Sequence, residues 1–148
     1  MDLDALLGLR ERALMPGHPG RPLITPYDRH GEHYGVFEGD QVIACASLTK
    51  VEMPGISSAR AYYLHGMAVE PTMQGSGHGR RVLEEIVSML RTRGADLLWA
   101  KARPAALGFY RGLGFDVGDA VIVAPTGATM QYIWKRLEVA AAAERSCA

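Results

Sequence analysis

One stretch constrains this chain more than any other: Met67-Ala68-Val69-Glu70-Pro71-Thr72-Met73-Gln74-Gly75-Ser76-Gly77-His78-Gly79-Arg80-Arg81. It begins as a strand, passes a proline, turns through a loop with glycine at 75, 77 and 79, and enters an amphipathic helix. Val82, Leu83, Ile86, Val87 and Leu90 fall on one helical face, and Arg80, Arg81, Glu84, Glu85 and Arg91 on the other. The first N–H groups of a helix have no partner within it, and the helix dipole adds partial positive charge there. Glycine lets backbone approach an anion with no Cβ in the way, so several N–H groups can converge on a phosphate. Arg80 and Arg81 add full positive charge at an end where the dipole alone favours acids, a placement that a bound polyanion explains. The glycines match neither a Walker A loop, which ends Gly-Lys-Ser/Thr, nor a G-x-G-x-x-G fingerprint. A flexible strand-to-helix turn is the plainer alternative.

The 148 residues suit one domain with one core, residues 1–148, in which the alanine-rich end 138–148 reads as a frayed tail. A hydrophobic share of 48% excludes disorder, and no apolar run is long enough to span a membrane. Met1-Asp2-Leu3-Asp4 is acidic and lacks a signal-peptide charge pattern. The 16 basic and 16 acidic residues cancel, which gives no sign of a nucleic-acid surface. Cys45 lies in an apolar run and Cys147 in the tail, so neither reads as half of a disulfide framework or a zinc motif. A soluble cytoplasmic protein is expected.

Asp2 or Asp4 can cap a helix carrying Leu3, Leu6, Leu7, Arg10, Ala13 and Leu14, and prolines 16, 19, 22 and 26 then exclude regular structure. Tyr27 to His33 reads as polar loop. Tyr34–Phe37 and Val42–Lys50 read as strands joined by the turn Glu38-Gly39-Asp40-Gln41, and Ala61–Val69 as a third antiparallel strand. The helix after the glycine loop ends near Gly94, which suits a C-terminal cap. The continuously apolar Leu97-Leu98-Trp99-Ala100 predicts a strand covered on both faces, completing a βαβ unit. A short helix from Ala105 to Gly112 and strands Phe115–Val123 and Met130–Leu137 follow.

Gln74-x-x-Gly77-x-Gly79, after a strand ending Met67-Ala68-Val69-x-Pro71, resembles the GNAT superfamily of acyl-CoA N-acyltransferases. Ala106-Leu107-Gly108-Phe109-Tyr110-Arg111-Gly112-Leu113-Gly114-Phe115 resembles that family's second recurrent segment, Ala-x-x-Phe-Tyr before a Gly-Phe turn. The two matches together span residues 61–115. The resemblance implies an α/β fold with a mixed, mostly antiparallel twisted sheet of about six strands and helices on both faces. The family's usual first strand is missing or displaced here, because the helix pattern starts at residue 2 or 3. Lys101 or Arg103 also stands where the family often has asparagine, which puts one cofactor contact in doubt.

What the resemblance implies about chemistry is acetyl transfer from acetyl-CoA to a primary amine of a small molecule, amino acid or peptide. No nucleic acid, membrane or metal takes part. It assigns Gln74, Gly75, Ser76, Gly77, His78, Gly79 and Arg80 to the pyrophosphate of coenzyme A, Met67, Ala68 and Val69 to the pantetheine arm, and Phe109 to the same cofactor. Tyr110 is the acid for the departing thiolate, against the plainer reading of a core tyrosine with a backbone partner. An alkyl amine is almost wholly protonated at pH 7, so a base is useful. His65, grouped by strand alternation with Tyr63 and Met67, is one candidate; a histidine hydrogen-bonded across the sheet is the equal alternative. Glu70, acting through water, is a second candidate, although a carboxylate after a strand is usually just solvated. Asp28, His30, Glu32 and His33 have metal-like composition but no fixed spacing, and read as acceptor-side surface. Two other functions stay open, a catalytically inactive CoA-binding regulatory module and a binder of another nucleotide diphosphate. A homodimer is expected, since a missing first strand leaves a sheet edge to be covered.

Overall fold

The computed structural model of the chain describes residues 3–14, 25–124 and 127–138. Helix α1 spans Leu3–Leu14. After a 3-10 turn at Pro26–His30 come strands β1 (Glu32–Glu38), β2 (Gln41–Lys50) and β3 (Ala61–Val69). Helix α2 covers His78–Thr92, β4 Leu97–Ala102, α3 Leu107–Gly112, β5 Asp116–Val123 and β6 Thr129–Arg136. The strands form a mostly antiparallel six-stranded sheet in the order β1-β2-β3-β4-β6-β5. Among the described residues no strand precedes α1, and β1 forms one edge. Most of the proline-rich segment and the tail from 139 lie outside the described residues.

Packing divides the chain into two compact units, each carrying part of the fold. The first comprises Met1–Thr49 and Leu64–Ile86, the second Lys50–Tyr63 and Val87–Ala148. In the first, β1 and β2 pair antiparallel from Glu32↔Leu48 to Glu38↔Gln41, with a register shift at Val36/Phe37 and Gly39 (φ 62°) in the turn. Leu6 and Leu9 of α1 pack on Val42, Cys45 and Ala68. This buries the apolar stripe of α1 against β2 and β3, which is what gives a helix of this length its stability. In the second unit β4 pairs with β6 and β6 with β5, all antiparallel. Trp99, stacked on Tyr63 at 4.3 Å between ring centres, donates its indole N–H to the Val51 carbonyl at 2.9 Å. The buried polar end of the largest core side chain is thereby satisfied.

Helix α2 buries the five apolar residues of its predicted inner face, while its arginines and glutamates at 80, 81, 84, 85 and 91 are exposed. It stops at Gly94 (φ 79°), with Ala95 N–H donating to Leu90 C=O and Gly94 N–H to Arg91 C=O. A left-handed residue after the last turn turns those N–H groups back onto the orphan carbonyls, and glycine adopts it without a Cβ clash.

Candidate active site

The first unit holds the glycine loop. Glu70 N–H donates to Ile43 C=O at 2.7 Å, so β3 stays paired up to its last residue. Pro71–Met73 then forms a 3-10 turn. The Gln74 side-chain amide donates back to the Val69 carbonyl at 3.2 Å, anchoring the loop to the strand it leaves. Gly75 and Gly77 have φ of 85° and 86°, a conformation that L side chains rarely adopt. No heavy atom lies within 4 Å of where a Cβ would stand at either position, so the space in front of both is open. α2 already begins at His78, which puts His78, Gly79 and Arg80 in its first turn rather than in the loop. The first helical bond runs from Arg81 N–H to Gly77 C=O at 3.0 Å. The N–H groups of the residues before Arg81 therefore lack an intrahelical acceptor, and they sit at the positive end of the dipole. An open, left-handed loop feeding such an end fits a phosphate or diphosphate. Arg80 and Arg81 reach Glu84 and Glu85 one turn on at only 3.7 and 3.9 Å, from exposed positions. Such pairs contribute little, so the two arginines keep their positive field at this end.

Upstream, β3 departs from simple alternation. Gly66 has φ 60°, and one left-handed residue in a strand re-aims everything after it. His65 faces Asp28, which binds Arg10 of α1, and Ala68 packs on Leu6 and Leu9 of the same helix. His65 and Ala68 thus point to one side, which puts Met67 and Val69 on the other. The expectation that His65 and Met67 share a face is corrected here, because alternation stops at Gly66.

His65 is buried, with Nε2 2.9 Å from Thr49 Oγ1 and Nδ1 3.4 Å from Asp28 Oδ1. Burial pushes its pKa down to about 4; Asp28 opposes this, and Arg10 and His33 add to it. The ring is neutral near pH 7. This is the cross-sheet placement that alternation left open for it.

Asp28 and Glu70 overturn their expected surroundings. Asp28 lies in the 3-10 turn and is buried, taking Arg10 NH2 on Oδ1 at 3.0 Å and both Arg10 NH1 (3.1 Å) and Thr25 N–H (2.8 Å) on Oδ2. Burial disfavours this carboxylate most, yet the hydrogen bonds from Arg10 and Thr25 and the nearby charges of Arg10 and His65 together hold its carboxyl below the ordinary range. The polar segment Tyr27–His33 is therefore not a surface loop, since Glu32 and His33 are already in β1 and only His30 and Arg29 of the group 28–33 are exposed. Among the described residues no cluster of His, Cys, Asp and Glu is arranged to hold a metal. Glu70 is buried rather than solvated, and Arg12 of α1 clasps it from Nε (3.3 and 3.1 Å) and NH2 (2.6 Å). The hydrogen bond to Glu70 raises the Arg12 pKa, although burial works against it. Ser47 accepts from Arg10 NH2 at 2.8 Å and meets His33 Nδ1 at 2.7 Å, which completes a polar layer under β2 and β3.

The second unit holds Tyr110. Its ring lies edge-on to Phe109 at 5.1 Å and to Phe115 at 5.3 Å, and the residue is buried. Burial pushes the phenol up to about 12, so it is protonated throughout the neutral range. Its backbone carbonyl accepts from Leu113 and Phe115, tying the residue into the Gly114 turn (φ 88°). Phe109 is 39% exposed, which leaves an aromatic face for a ligand. Lys101 Nζ stands 5.8 Å over the Tyr63 ring, and Arg103 is exposed before the turn at Pro104–Ala106.

Sequence reasoning missed Arg10, Arg12 and Gly66 as parts of this region. The one available signal was Arg10 itself, an arginine on the otherwise apolar stripe of α1.

Against known proteins, residues 4–115 match the model of the Acetyltransferase (GNAT) family. N-alpha-acetyltransferase RimI of Mycobacterium tuberculosis is 29% identical over 115 residues, covering 78% of this chain and 69% of that protein. The crystal structure of the ribosomal-protein-S18-alanine N-acetyltransferase from Escherichia coli superposes with a TM-score of 0.70 at 22% identity, over 94% of this chain and 90% of that one. An acetyltransferase of Bacillus subtilis solved in complex with CoA gives 0.67 at 18% identity, over 93% and 94%. The two structures share the fold with this chain. Because the family match runs from α1 through both glycine-containing segments to Phe115, the chain belongs to the GNAT acetyltransferase family and is an acyltransferase.

Proposed function

We propose that the chain acts as a single domain that transfers an acetyl group from acetyl-CoA to a primary amine. The observation that carries this reading is the open glycine loop at the start of α2, with two left-handed glycines and clear space where their side chains would stand. The backbone N–H groups from Gly75 to Arg80 hold the pyrophosphate, and Met67 to Val69 pair with the pantetheine arm as an added strand does. The thioester, once bound, supplies an activated acyl carbon and a thiolate leaving group. A backbone N–H at the end of β3 polarises the carbonyl, Phe109 flanks the cofactor, and the protonated Tyr110 donates a hydrogen bond to the developing thiolate.

The amine must lose a proton. His65 has both ring nitrogens engaged and Glu70 both carboxylate oxygens, so either would first have to break an existing bond. We therefore give the proton to water and prefer an acceptor that reaches the site already neutral. An α-amine with a pKa near 8 is about 10% neutral at pH 7, and a lysine-like amine near 10.4 about 0.04%, a difference of roughly two hundredfold. This favours amino acids and peptide N-termini, in line with the N-alpha- and S18-alanine acetyltransferase names of the two relatives. A panel of acceptors at pH 7, read by CoA release, tests the order. An alanine-terminated peptide should exceed a lysine side chain blocked at its α-amine by at least about tenfold in kcat/KM. Equal rates for the two, or a preference for the alkyl amine, would contradict it. Acetyl-CoA binding with no release for any amine would favour the regulatory-module alternative.

A further inference from the structure

Helix α1 contacts β3 at three levels in succession. Arg10, with 2% of its surface exposed, holds Asp28 with both terminal nitrogens and Ser47 with one of them. So fixed, its guanidinium lies against Gly66: a Cβ there would stand 2.5 Å from NH2 and 2.7 Å from both Cζ and Nε. The carbonyl of Gly66 accepts the Cys45 thiol at 3.5 Å. Two residues further along the strand, Leu6 and Leu9 cover Ala68. At its end Arg12 clasps Glu70. Between these contacts lie Met67 and Val69, on the side of β3 away from Ala68.

From this arrangement we propose that Arg10 is a positioning residue. It acts as a brace that fixes the left-handed turn at Gly66 and so sets the direction of the Met67–Val69 backbone that receives the pantetheine arm. The inference rests on the acetyl-CoA reading above. A buried Arg–Asp pair can serve only to match its own charges, but this one does more than satisfy itself. The bidentate fork leaves the guanidinium no freedom to rotate, and it occupies the volume of a side chain at position 66. Glycine enters the left-handed region about as readily as the right-handed one, so the turn at Gly66 is set by its surroundings rather than by a preference of its own. Here the surroundings are one planar cation held by two partners, and a flexible ammonium cannot reproduce that contact.

Two variants test the brace. Arg10→Lys keeps a positive charge for Asp28 and gives up the planar contact with Gly66. Gly66→Ala keeps Arg10 and puts a methyl group into its guanidinium. A third variant, Ile133→Val in the second unit, serves as a control for general destabilisation. In the ligand-free protein, hydrogen exchange at the Met67, Ala68 and Val69 amides should quicken by at least about tenfold in both test variants and not in the control. Acetyl-CoA affinity by calorimetry should weaken by at least about tenfold in both, since small misplacements of positioning groups cost up to about a hundredfold. A purely structural Arg10 would lower the melting temperature and leave the affinity of the folded protein at the control's level. That result, or unchanged exchange at residues 67–69, overturns the proposal. If Arg10→Lys does not fold, Gly66→Ala decides alone, and wild-type affinity there overturns it. A wild-type chain that binds no acetyl-CoA removes the functional reading and with it the cofactor role of the brace, whereas the exchange data still report whether Arg10 fixes the strand.

Discussion

Replacing Tyr110 by phenylalanine separates the two roles open to it, because it removes one oxygen and leaves the ring in place. The edge-on contacts to Phe109 and Phe115 involve the ring alone and survive the change. On stability, the loss of one hydroxyl interaction is worth about 1 kcal/mol. On catalysis the phenol near 12 faces a departing thiolate whose thiol has an ordinary pKa of about 8.5. Full transfer even to the released thiolate is uphill by about 5 kcal/mol at 1.36 kcal/mol per pH unit, so the hydroxyl acts by hydrogen-bonding to the charge that develops on sulfur. A hydrogen bond to such a charged group is worth about 1.5–3 kcal/mol, which converts to roughly a 10- to 150-fold loss of rate. Single-turnover thiol release, followed with a thiol reagent over pH 6 to 10, reads the step directly. The variant should fall by at least about tenfold, with acetyl-CoA affinity within about twofold of wild type. The wild-type release step should show no alkaline loss in this range, because Tyr110 stays protonated to about 12. Wild-type-like release in Tyr110→Phe across the series would reduce Tyr110 to packing and refute the assignment.

Ser76→Glu puts a like charge in front of the proposed pyrophosphate site from an exposed position with ordinary φ, and should weaken acetyl-CoA binding by at least about tenfold at an unchanged melting temperature; equal affinity would remove the loop assignment. Gly77→Ala is a harsher change, since φ 86° strains any side chain by about 1–2 kcal/mol before a ligand is considered. His65 titrates near 4 folded and near 6.5 unfolded, so the unfolded chain takes up the proton first, and stability should fall as pH drops from about 6.5 to 4. The loss is about 3 kcal/mol at 1.36 kcal/mol per pH unit, and urea titrations of wild type and His65→Gln between pH 4 and 7 should differ in slope. Asp28→Asn leaves Arg10 a buried charge without its counter-ion and should cost about 3–5 kcal/mol in the same assay; a cost under about 1 kcal/mol would show that the pair is dispensable.

The elements around the glycine loop were legible because each has a strong local cause. Five apolar residues on one face require α2, Gly94 stops it, and Leu97–Ala100 is too uniformly apolar to be anything but a buried strand. The glycine loop was legible as a turn into the helix for the same reason, although its last residues belong to the helix. What remained hidden depends on contacts distant in sequence. Nothing near Gly66 announces a left-handed residue, because its cause is a guanidinium 56 positions away. Asp28 and Glu70 looked solvated because their partners, Arg10 and Arg12, lie on α1 18 and 58 residues away. An arginine in the apolar stripe of α1 was the visible trace of this buried layer, and a partner of opposite charge could have been sought on that ground.

The central claim is best tested by a single titration and turnover experiment on the purified full chain. Acetyl-CoA is titrated calorimetrically, then mixed at saturation with an alanine-terminated peptide at pH 7, and the products are weighed by mass spectrometry. The account predicts saturable binding at one site per chain, stoichiometric CoA release, and a peptide heavier by one acetyl group at its α-amine. No heat of binding, together with an unmodified peptide and intact acetyl-CoA, would contradict it.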